Sequence, residues 1–501
     1  MKLSEADQKY LSLSGLEPEE IHRQVDWLKR GPAYLSLVAP CTPEHGIWVL
    51  NEDEREHFLA RYASDFGGRK ITKFVPASGA ATRMFHDLIH QVHLAESSPI
   101  EEKVEEFFRD LHRFPFWPAL REFFSRSGED LDSLVRGKKY HSILRALLFS
   151  PGLNLSHRPK GLVEFHRYGS EARTAFSEHL FESTEYIKDG PLYFTVPEGQ
   201  LEPFRELWRQ EAERFPDYRV EFSFQEAKTH MICLDESGEI HRDDNGTIHL
   251  RPGGHGSLLA NLSLIDAQMV FIKNIDNVTR QERHAFIGAE QRILGGVLLE
   301  IQDHIFQWLE KIESDSLTPA DWRVLEGFML QRLGIAGTRE ALERNPSERR
   351  EWLRSRLNRP LRVCGMVPNQ GEPGGGPFWV RMADGLLGKQ IVEKAQVDPG
   401  SETQQRILSG ATHFNPVNLV CALKDRHGRS FRLEEFCDTG AYFASTKKMK
   451  GKNVRILERP GLWNGAMAHW NTVFVEVPLA TFCPVKTVFD LLKSEHQEGP
   501  S

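Results

Sequence analysis

The chain has 501 residues, with 63 basic and 71 acidic side chains, a formal net charge of −8 and a hydrophobic fraction of 40%. This length exceeds what one simple hydrophobic core usually supports, so we expect a main domain with sizeable additions. The mildly acidic balance argues against nucleic acid as a partner, and no stretch approaches the ~20 apolar residues that a membrane span needs.

The first ten residues, MKLSEADQKY, carry charges where a signal peptide needs an apolar core. Six cysteines are dispersed along the chain without any C-x-x-C pair, which is typical of reduced, buried thiols and not of a disulfide framework or a zinc ribbon. We therefore expect a cytoplasmic protein without a membrane partner, whose oligomeric state the sequence leaves open.

Residues 1–70 are predicted to form a helical N-terminal segment, because Ile21, Val25 and Leu28 follow helical spacing. A short apolar run, FVP, then leads into a loop of small residues and a helical pattern. A strand, a small-residue loop and a helix in this order direct backbone N–H groups at an anion. Residues 86–150 and 280–358 show helical spacing throughout and are predicted to be helical insertions.

Six short apolar runs predict β-strands between and after these insertions. They are LYFTV (192–196), VEFSF (220–224), MVFIKNI (269–275), LRVCGMV (361–367), LVCAL (419–423) and TVFVEV (472–477). Strands that alternate with helices indicate an α/β fold with a mixed, mostly parallel sheet flanked by helices. Residues 71–279 and 359–501 are predicted to form the two halves of this main domain.

Ligands of open α/β sheets collect at the carboxyl ends of the strands. The loop at 77–83 is either a plain tight turn or a phosphate-binding loop in which Arg83 pairs with the phosphates. Lys160, in the run RPKG, is either a solvated surface lysine or a second phosphate ligand.

The strand at 269–275 ends in the polar run NIDN, where Asp276 is well placed to hold Mg²⁺ beside a phosphate. Asn and Asp also simply end strands, so this structural reading stays open. Further along the chain, Asp438 would supply a second carboxylate for the same cation, and Lys486 another positive charge for phosphate.

These residues resemble the nucleotide-sugar pyrophosphorylases, most closely the eukaryotic-type UTP:glucose-1-phosphate uridylyltransferases and the UDP-N-acetylhexosamine pyrophosphorylases. The resemblance extends from about residue 73 to 493 and suggests a bacterial branch of that superfamily. Its elements, in the family's order, are RPKG (158–161), FSFQ (222–225), PGGHG (252–256) with FIKNIDN (271–277), IVEKAQV (391–397) with FNPVNL (414–419), and EVP (476–478) with FCPVKT (482–487) and DLL (490–492). The run CDTG (437–440) is similar to the aspartate-containing metal motif of bacterial thymidylyltransferases.

The resemblance implies a nucleotide-diphospho-sugar transferase fold (GT-A, Rossmann-like) and a reaction between a nucleoside triphosphate and a sugar 1-phosphate that releases pyrophosphate. It implies Mg²⁺ as the cofactor, with Asp276 and Asp438 as its ligands. The implied catalytic residues are Arg83, Lys160 and Lys486. The implied nucleotide-binding residues are Ala77, Ser78, Gly79, Thr82, Gln225, Gly254, His255 and Gly256. The implied sugar-binding residues are Asn277, Glu393, Asn415 and Asn418.

The nucleotide loop departs from the family pattern, because Ser78 and Ala81 stand where glycine is usual. Backbone approach to a triphosphate is then expected to be looser. Two alternatives follow: a nucleotide-sugar-binding protein without turnover, and a glycosyltransferase on the same fold. The base, the sugar and the pathway are not determined by the sequence.

Overall fold

A computed structural model describes residues 3–96, 98–336, 345–371, 374–449 and 451–498. Residues 337–344 of the predicted insertion at 280–358 therefore lie outside the described residues. The chain forms two compact units, each built from segments that are distant in sequence. The first unit comprises Met1–Thr72, Gln225–Ile272 and Arg292–Leu479, and the second comprises Lys73–Phe224, Lys273–Gln291 and Ala480–Ser501.

The α-helices are numbered in chain order over the described residues. They are α1 (Glu5–Leu13), α2 (Pro18–Arg30), α3 (Glu52–Asp65), α4 (His86–His93), α5 (Glu102–Arg109), α6 (Trp117–Arg126), α7 (Leu131–Arg136), α8 (Tyr140–Leu148), α9 (Ala175–Ser183), α10 (Leu201–Glu211), α11 (Leu258–Ser263), α12 (His284–Glu313), α13 (Pro319–Phe328), α14 (Pro346–Leu357) and α15 (Glu402–Ser409). The predicted helical character of 86–150 is thus present as α4 to α8.

The β-strands are numbered in the same way. They are β1 (Ser36–Pro40), β2 (Ile47–Trp48), β3 (Ile71–Pro76), β4 (Glu164–Tyr168), β5 (Glu171–Thr174), β6 (Gly190–Thr195), β7 (Tyr218–Ser223), β8 (Met231–Leu234), β9 (Leu250–Arg251), β10 (Met269–Lys273), β11 (Leu361–Pro368), β12 (Gly376–Arg381), β13 (Leu387–Val392), β14 (His413–Phe414), β15 (Asn418–Ala422), β16 (Phe443–Met449), β17 (Lys452–Glu458) and β18 (Asn471–Glu476). Each of the six predicted strands is present within two residues at its start, so those predictions are confirmed.

The first unit is organised around strands in the order β2, β18, β11, β15 and β10. β18 runs parallel to both β2 and β11, whereas β15 pairs antiparallel with β11. β11 and β15 are buried along nearly their whole length, which is why both are mostly apolar in sequence. Two smaller sheets belong to the same unit, β1–β12–β13 and β16–β17–β8–β9.

Helix α3 illustrates how the sequence sets the packing of the first unit. Asn51 caps its N-terminus in a reciprocal capping box with Glu54, and Phe58 and Tyr62 are its buried residues. Gly295 and Gly296 of α12 lie against these two aromatic residues, and a Cβ at either glycine would approach them to 2.5 Å or less. The double glycine is therefore required for the close contact between α12 and α3.

The second unit contains β3, β6 and β7 in that order, all parallel. The main sheet pairings are thus mostly parallel, and helices accompany the strands in both units, which confirms the predicted α/β class. Among the described residues, no helix combines the length and the apolar character that crossing a membrane requires. The six cysteines are free thiols, and all but the half-buried Cys437 are buried, as predicted.

Candidate functional site

Three residues predicted from separate motifs meet in the second unit. The Nζ atoms of Lys160 and Lys486 each lie 2.9 Å from the same oxygen, Oδ2 of Asp276. Asp276 and Lys160 are buried, at 7% and 9% exposure, whereas the Lys486 side chain is 54% exposed. The cluster therefore contains a buried ion pair, Lys160 with Asp276, and one ammonium group, that of Lys486, which reaches solvent.

Lys160 is held beside the small-residue loop by backbone pairing. Its N–H donates to the carbonyl of Gly79 at 3.0 Å, and the N–H of Ala81 donates to the carbonyl of Arg158 at 3.0 Å. The ammonium group of Lys160 also donates to the carbonyl of Val485 at 2.8 Å. The lysine is thus a fixed part of the site, and the solvated-surface alternative is wrong.

The predicted loop follows β3 and leads into a short 3-10 helix, Ala81–Arg83. Gly79, Thr82 and Arg83 are exposed, while Ala77 is buried. A Cβ placed on Gly79 would meet no atom within 4 Å, so the space over this loop is open. The strand, loop and helix order predicted from the sequence is present, and the nucleotide-binding role of the loop stays a prediction.

The segment that carries Lys486 is fixed to the strand end by Asn277. The side-chain oxygen of Asn277 accepts a hydrogen bond from the Cys483 N–H at 2.9 Å, and its amide donates to the Thr481 carbonyl at 3.4 Å. The N–H of Val485 donates to the Asp276 carbonyl at 2.9 Å. Asn277 is 1% exposed, so its side chain here positions the segment, and its predicted substrate contact stays a prediction.

The charges of the cluster determine the state of Asp276. Burial raises the pKa of its carboxyl group, but the ammonium groups of Lys486 and Lys160 outweigh burial, and the pKa lies below its ordinary value. Asp276 is therefore ionised at neutral pH. Two cations face one anion, and the surplus positive charge is available to an anionic ligand.

A second set of buried charges fixes the strands that lead into the site. Lys73 Nζ lies 3.1 Å from Glu182 Oε1, Lys273 Nζ bonds the other carboxylate oxygen, and the Tyr186 hydroxyl donates to Oε1 at 3.0 Å. Burial opposes ionisation of Glu182, yet Lys273 and Lys73 hold its pKa well below the ordinary value. Lys73 precedes the loop by four residues and Lys273 precedes Asp276 by three, so Glu182 ties both strands together.

A buried histidine cluster holds the end of the 480–498 segment. Nε2 of His166 lies 2.8 Å from Nδ1 of His496, and Nδ1 of His166 lies 2.9 Å from Glu178 Oε1. Burial, followed by repulsion from His166, lowers the pKa of His496 to about 3, and burial lowers the pKa of His166 well below its ordinary value. Both imidazoles are thus neutral in the folded protein.

We expect acid to destabilise this protein, because the unfolded chain binds protons that the folded chain excludes. The stability that the neutral histidines contribute is complete above pH 6.5 and is lost as the pH falls towards 3. Burial raises the pKa of Glu178 to about 7, which gives stability the opposite pH dependence. This single group offsets the effect of only one of the two histidines. Urea unfolding between pH 7 and 4 measures the loss.

His496→Asn should flatten this pH dependence, whereas the same change at the exposed His86 should leave it unaltered. An equally steep loss in His496→Asn and wild type would contradict the assignment.

The remaining predicted residues belong to the first unit, where some of them meet. His255 accepts a hydrogen bond from the Leu462 N–H at 3.0 Å, and its ring stacks on Trp463 with centroids 4.4 Å apart. Its Nε2 lies 3.5 Å from Glu393 Oε1, and Asn464 donates to the same carboxylate oxygen at 2.8 Å. A predicted nucleotide-binding residue and a predicted sugar-binding residue are therefore neighbours.

The glycines beside His255 are required by close packing. Gly254 has a φ of +74°, and a Cβ on Gly256 would lie 2.1 Å from the Pro460 carbonyl oxygen. The motif at 252–256 thus has a structural reason in addition to its predicted ligand role.

The other predicted residues of the first unit are fixed more locally. Asn415 is buried, donates to the Gly365 carbonyl at 3.2 Å and accepts from the Val417 N–H at 3.0 Å. Asn418 is buried, Gln225 is half-buried, and the half-buried Asp438 accepts from the Gly440 N–H at 2.9 Å. Asp438 and Asp276 belong to different units, so their sharing of one cation stays a prediction.

The chemistry of the metal prediction centres on Asp276. Within the described ranges, there is no group of three or more His, Cys, Asp or Glu side chains that could hold a metal ion. Mg²⁺ beside nucleotides is, however, commonly held by one or two carboxylates together with substrate phosphates and water. An ionised carboxylate at a strand end, next to two lysine ammonium groups, fits that mode. Asp276 therefore fits as a single protein ligand.

Several contacts of the site could not be found by motif reasoning. The buried Glu182 belongs to no motif, and Trp463 and Asn464 lie outside the elements that resemble the known family. Val485 lies in such an element, but its contact comes from its backbone carbonyl, which a residue motif does not indicate. A possible signal was the lysine within each of the two apolar runs at 71–76 and 269–273, since a buried lysine needs a carboxylate partner.

Solved structures give low-identity likenesses over nearly the whole chain. The chain is similar to a uridine diphosphate N-acetylglucosamine pyrophosphorylase from Trypanosoma brucei, with 14% identity, 98% of this chain and 79% of that chain covered, and a TM-score of 0.48. It is also similar to a UDP-glucose phosphorylase from Trypanosoma brucei (14% identity, 98% and 80% covered, TM-score 0.45) and to the UDP-glucose pyrophosphorylase from Leishmania major (13%, 98% and 79%, TM-score 0.43).

No curated protein matches the sequence. A family model described as "Domain of unknown function (DUF4301)" matches residues 4–497, which is nearly the whole chain. The chain belongs to this DUF4301 family.

Proposed function

We propose that this protein is a Mg²⁺-dependent nucleotidyltransferase that joins a nucleoside triphosphate and a sugar 1-phosphate, giving a nucleotide sugar and pyrophosphate. The observation that carries the proposal is that the ammonium groups of Lys160 and Lys486 both bind one carboxylate oxygen of Asp276. Each residue belongs to a different element that resembles the nucleotide-sugar pyrophosphorylases. The other elements follow the family's order along the chain and support the same reading.

The reaction brings two polyanions together, which explains the need for lysines. Two unit charges about 4 Å apart repel by about 4 kcal/mol at an effective dielectric constant near 20. Lys160 is buried and its ammonium group is held by Asp276 and the Val485 carbonyl, so its charge is preorganised, whereas the half-exposed Lys486 can turn towards an incoming phosphate. The exposed Arg83 lies in the neighbouring loop and would neutralise part of the phosphate charge.

The proposed chemistry is an in-line displacement at the α-phosphorus. A phosphate oxygen of the sugar phosphate forms the new P–O bond, and the bond between the α-phosphorus and the bridging oxygen to the β-phosphate breaks. Pyrophosphate leaves with the bonding electrons. The attacking phosphate is already ionised, so the reaction needs no general base and no covalent enzyme intermediate.

Asp276 is the proposed protein ligand of the metal. When bound, Mg²⁺ supplies charge neutralisation at the phosphate oxygens. Asp276 also orients the two ammonium groups, because both donate to its Oδ2. The backbone at Gly79 is the proposed approach path for the triphosphate, since a Cβ there would meet no described atom within 4 Å.

Pyrophosphate release tests the proposal directly. The purified full-length chain is incubated with Mg²⁺, each of the four common nucleoside triphosphates and a panel of sugar 1-phosphates, with and without a chelator. We expect chelator-sensitive release for at least one pair. Silence across the panel, or release that the chelator leaves unchanged, would overturn the proposed reaction.

The same panel separates the proposal from its alternatives. Thermal stabilisation by a nucleotide sugar without any product would indicate a binding protein. Transfer or hydrolysis of the sugar from a nucleotide sugar would indicate a glycosyltransferase.

A further inference from the structure

A small cavity in the first unit is lined by an excess of positive charge. It has a volume of about 180 Å³ and lies beside the end of α14, the β12–β13 hairpin and the segment that leads into β18. Arg356, Arg359, Lys389 and His469 line it, and Asp384 is the one carboxylate among its described lining residues. None of these residues belongs to the site described above.

The cations of this cavity have few counterions. Asp384 Oδ2 accepts from Arg356 at 2.6 Å. Arg359 donates instead to the carbonyls of Ser355 and His469, at 2.6 and 3.2 Å. Lys389 is 4% exposed, and its ammonium group donates to a backbone carbonyl at 2.9 Å. Since buried charges are normally paired, three cations against one carboxylate among the described lining residues leave this part of the cavity short of negative charge.

The electrostatic cost of burying these cations together lowers the pKa values of two of them, Arg359 and Lys389. Burial, followed by repulsion from Arg356, lowers the pKa of Arg359 to about 10. Burial likewise lowers the pKa of Lys389 to about 8. An anion in the cavity would remove this cost, because it would face both guanidinium groups.

Hydrogen-bond donors around the cavity are also unsatisfied. Among the described residues, Nε1 of Trp470, which lines the cavity and is 4% exposed, has no hydrogen-bond partner, and neither has Nε of Arg356. The fully buried Arg362 donates to Oγ1 of the lining residue Thr472, and its Nη2 has no partner in the same part of the chain. Buried donors without acceptors are rare in native proteins and indicate a missing acceptor.

We propose that this cavity binds a small phosphate-class oxyanion, either inorganic phosphate or the phosphate group of a small phosphomonoester. Guanidinium groups recognise phosphate through paired N–H donors, and two of them line this cavity: Arg356 in the last turn of α14 and Arg359 just beyond its end. The cavity holds roughly six waters at about 30 Å³ each, which suits such an anion and excludes a nucleotide.

Isothermal titration of the full-length chain with inorganic phosphate tests this proposal, with chloride at equal ionic strength as the background. We expect saturable binding that Arg359→Gln and the double change Arg356→Gln/Arg359→Gln weaken at least about tenfold. Arg354→Gln is the matched control, because Arg354 lies on the same helix, is 54% exposed and pairs with Glu351. It should bind phosphate as wild type does.

A second arm separates this cavity from the lysine cluster of the second unit. Lys486→Gln should keep the arginine-dependent binding, whatever the outcome of the pyrophosphate assay. Titration with glycerol phosphate then shows whether the site takes a phosphomonoester or free phosphate only. Thermal melting of each variant without phosphate verifies folding. Absence of binding, or unchanged binding in the double arginine variant, would overturn the proposal.

Discussion

Asp276→Asn is expected to lower turnover at least about 100-fold, in whichever substrate pair the protein uses. The change keeps the side-chain volume but removes the negative charge that both Lys160 and Lys486 face. It also removes the proposed protein ligand of Mg²⁺. Initial rates of pyrophosphate release at saturating substrate measure the effect, and a 100-fold loss corresponds to about 2.7 kcal/mol of transition-state stabilisation.

Asp87→Asn is the matched control for this experiment. Asp87 also pairs with a lysine, Lys103, at 2.8 Å in the second unit, but its side chain lies outside the cluster. It should keep wild-type turnover. Circular dichroism of the Asp276→Asn protein verifies that it is folded. A folded Asp276→Asn protein with turnover close to wild type would show that the carboxylate has no part in the reaction.

Glu182→Gln is expected to lower the free energy of unfolding by about 3–5 kcal/mol, the usual cost of removing one partner from a buried ion cluster. Glu182 is fully buried and is the carboxylate that faces both Lys73 and Lys273. Its neutralisation leaves two buried ammonium groups near each other with no counterion. Urea unfolding at pH 7 measures the loss.

The defect of Glu182→Gln should become smaller as the pH rises towards about 8. Burial lowers the pKa of Lys73 to about 8 although Glu182 raises it, so without Glu182 this pKa lies lower still and Lys73 loses its proton more easily. Glu202→Gln on α10 is the control, since the Glu202 side chain is 63% exposed and pairs only with surface arginines. Its unfolding midpoint should change little. Equal midpoints for Glu182→Gln and wild type would contradict the role of Glu182.

The main strands could be predicted because burial leaves a simple pattern. β11, β15 and β18 are buried along nearly their whole length, so each reads as a mostly apolar run, although β11 also contains the buried Arg362. The smaller antiparallel sheets were missed, because β16 and β17 are largely polar at their exposed ends. Their pairing depends on contacts with β8, more than two hundred residues away, which local patterns do not encode.

The residues of the site could be predicted from the sequence better than the contacts between them. Lys160, Asp276 and Lys486 each follow an apolar run or lie in an element that resembles a known family, and the structure joins them. Their shared oxygen and the Val485 carbonyl depend on how the 480–498 segment returns to β10, which follows from tertiary packing. Asn277 is an example. Its motif predicts a substrate contact, whereas its side chain hydrogen-bonds the backbone of Cys483 and Thr481.

The central claim is that Lys160 and Lys486 bind the phosphates that react. The reverse reaction tests this claim most directly. Labelled pyrophosphate is supplied with Mg²⁺ and a panel of nucleotide sugars, and its incorporation into nucleoside triphosphate is followed in wild type and in Lys160→Gln/Lys486→Gln. We predict exchange in wild type and at least about a 100-fold loss in the double variant. Exchange at equal rates in both proteins, or none in wild type with any nucleotide sugar, would contradict the claim.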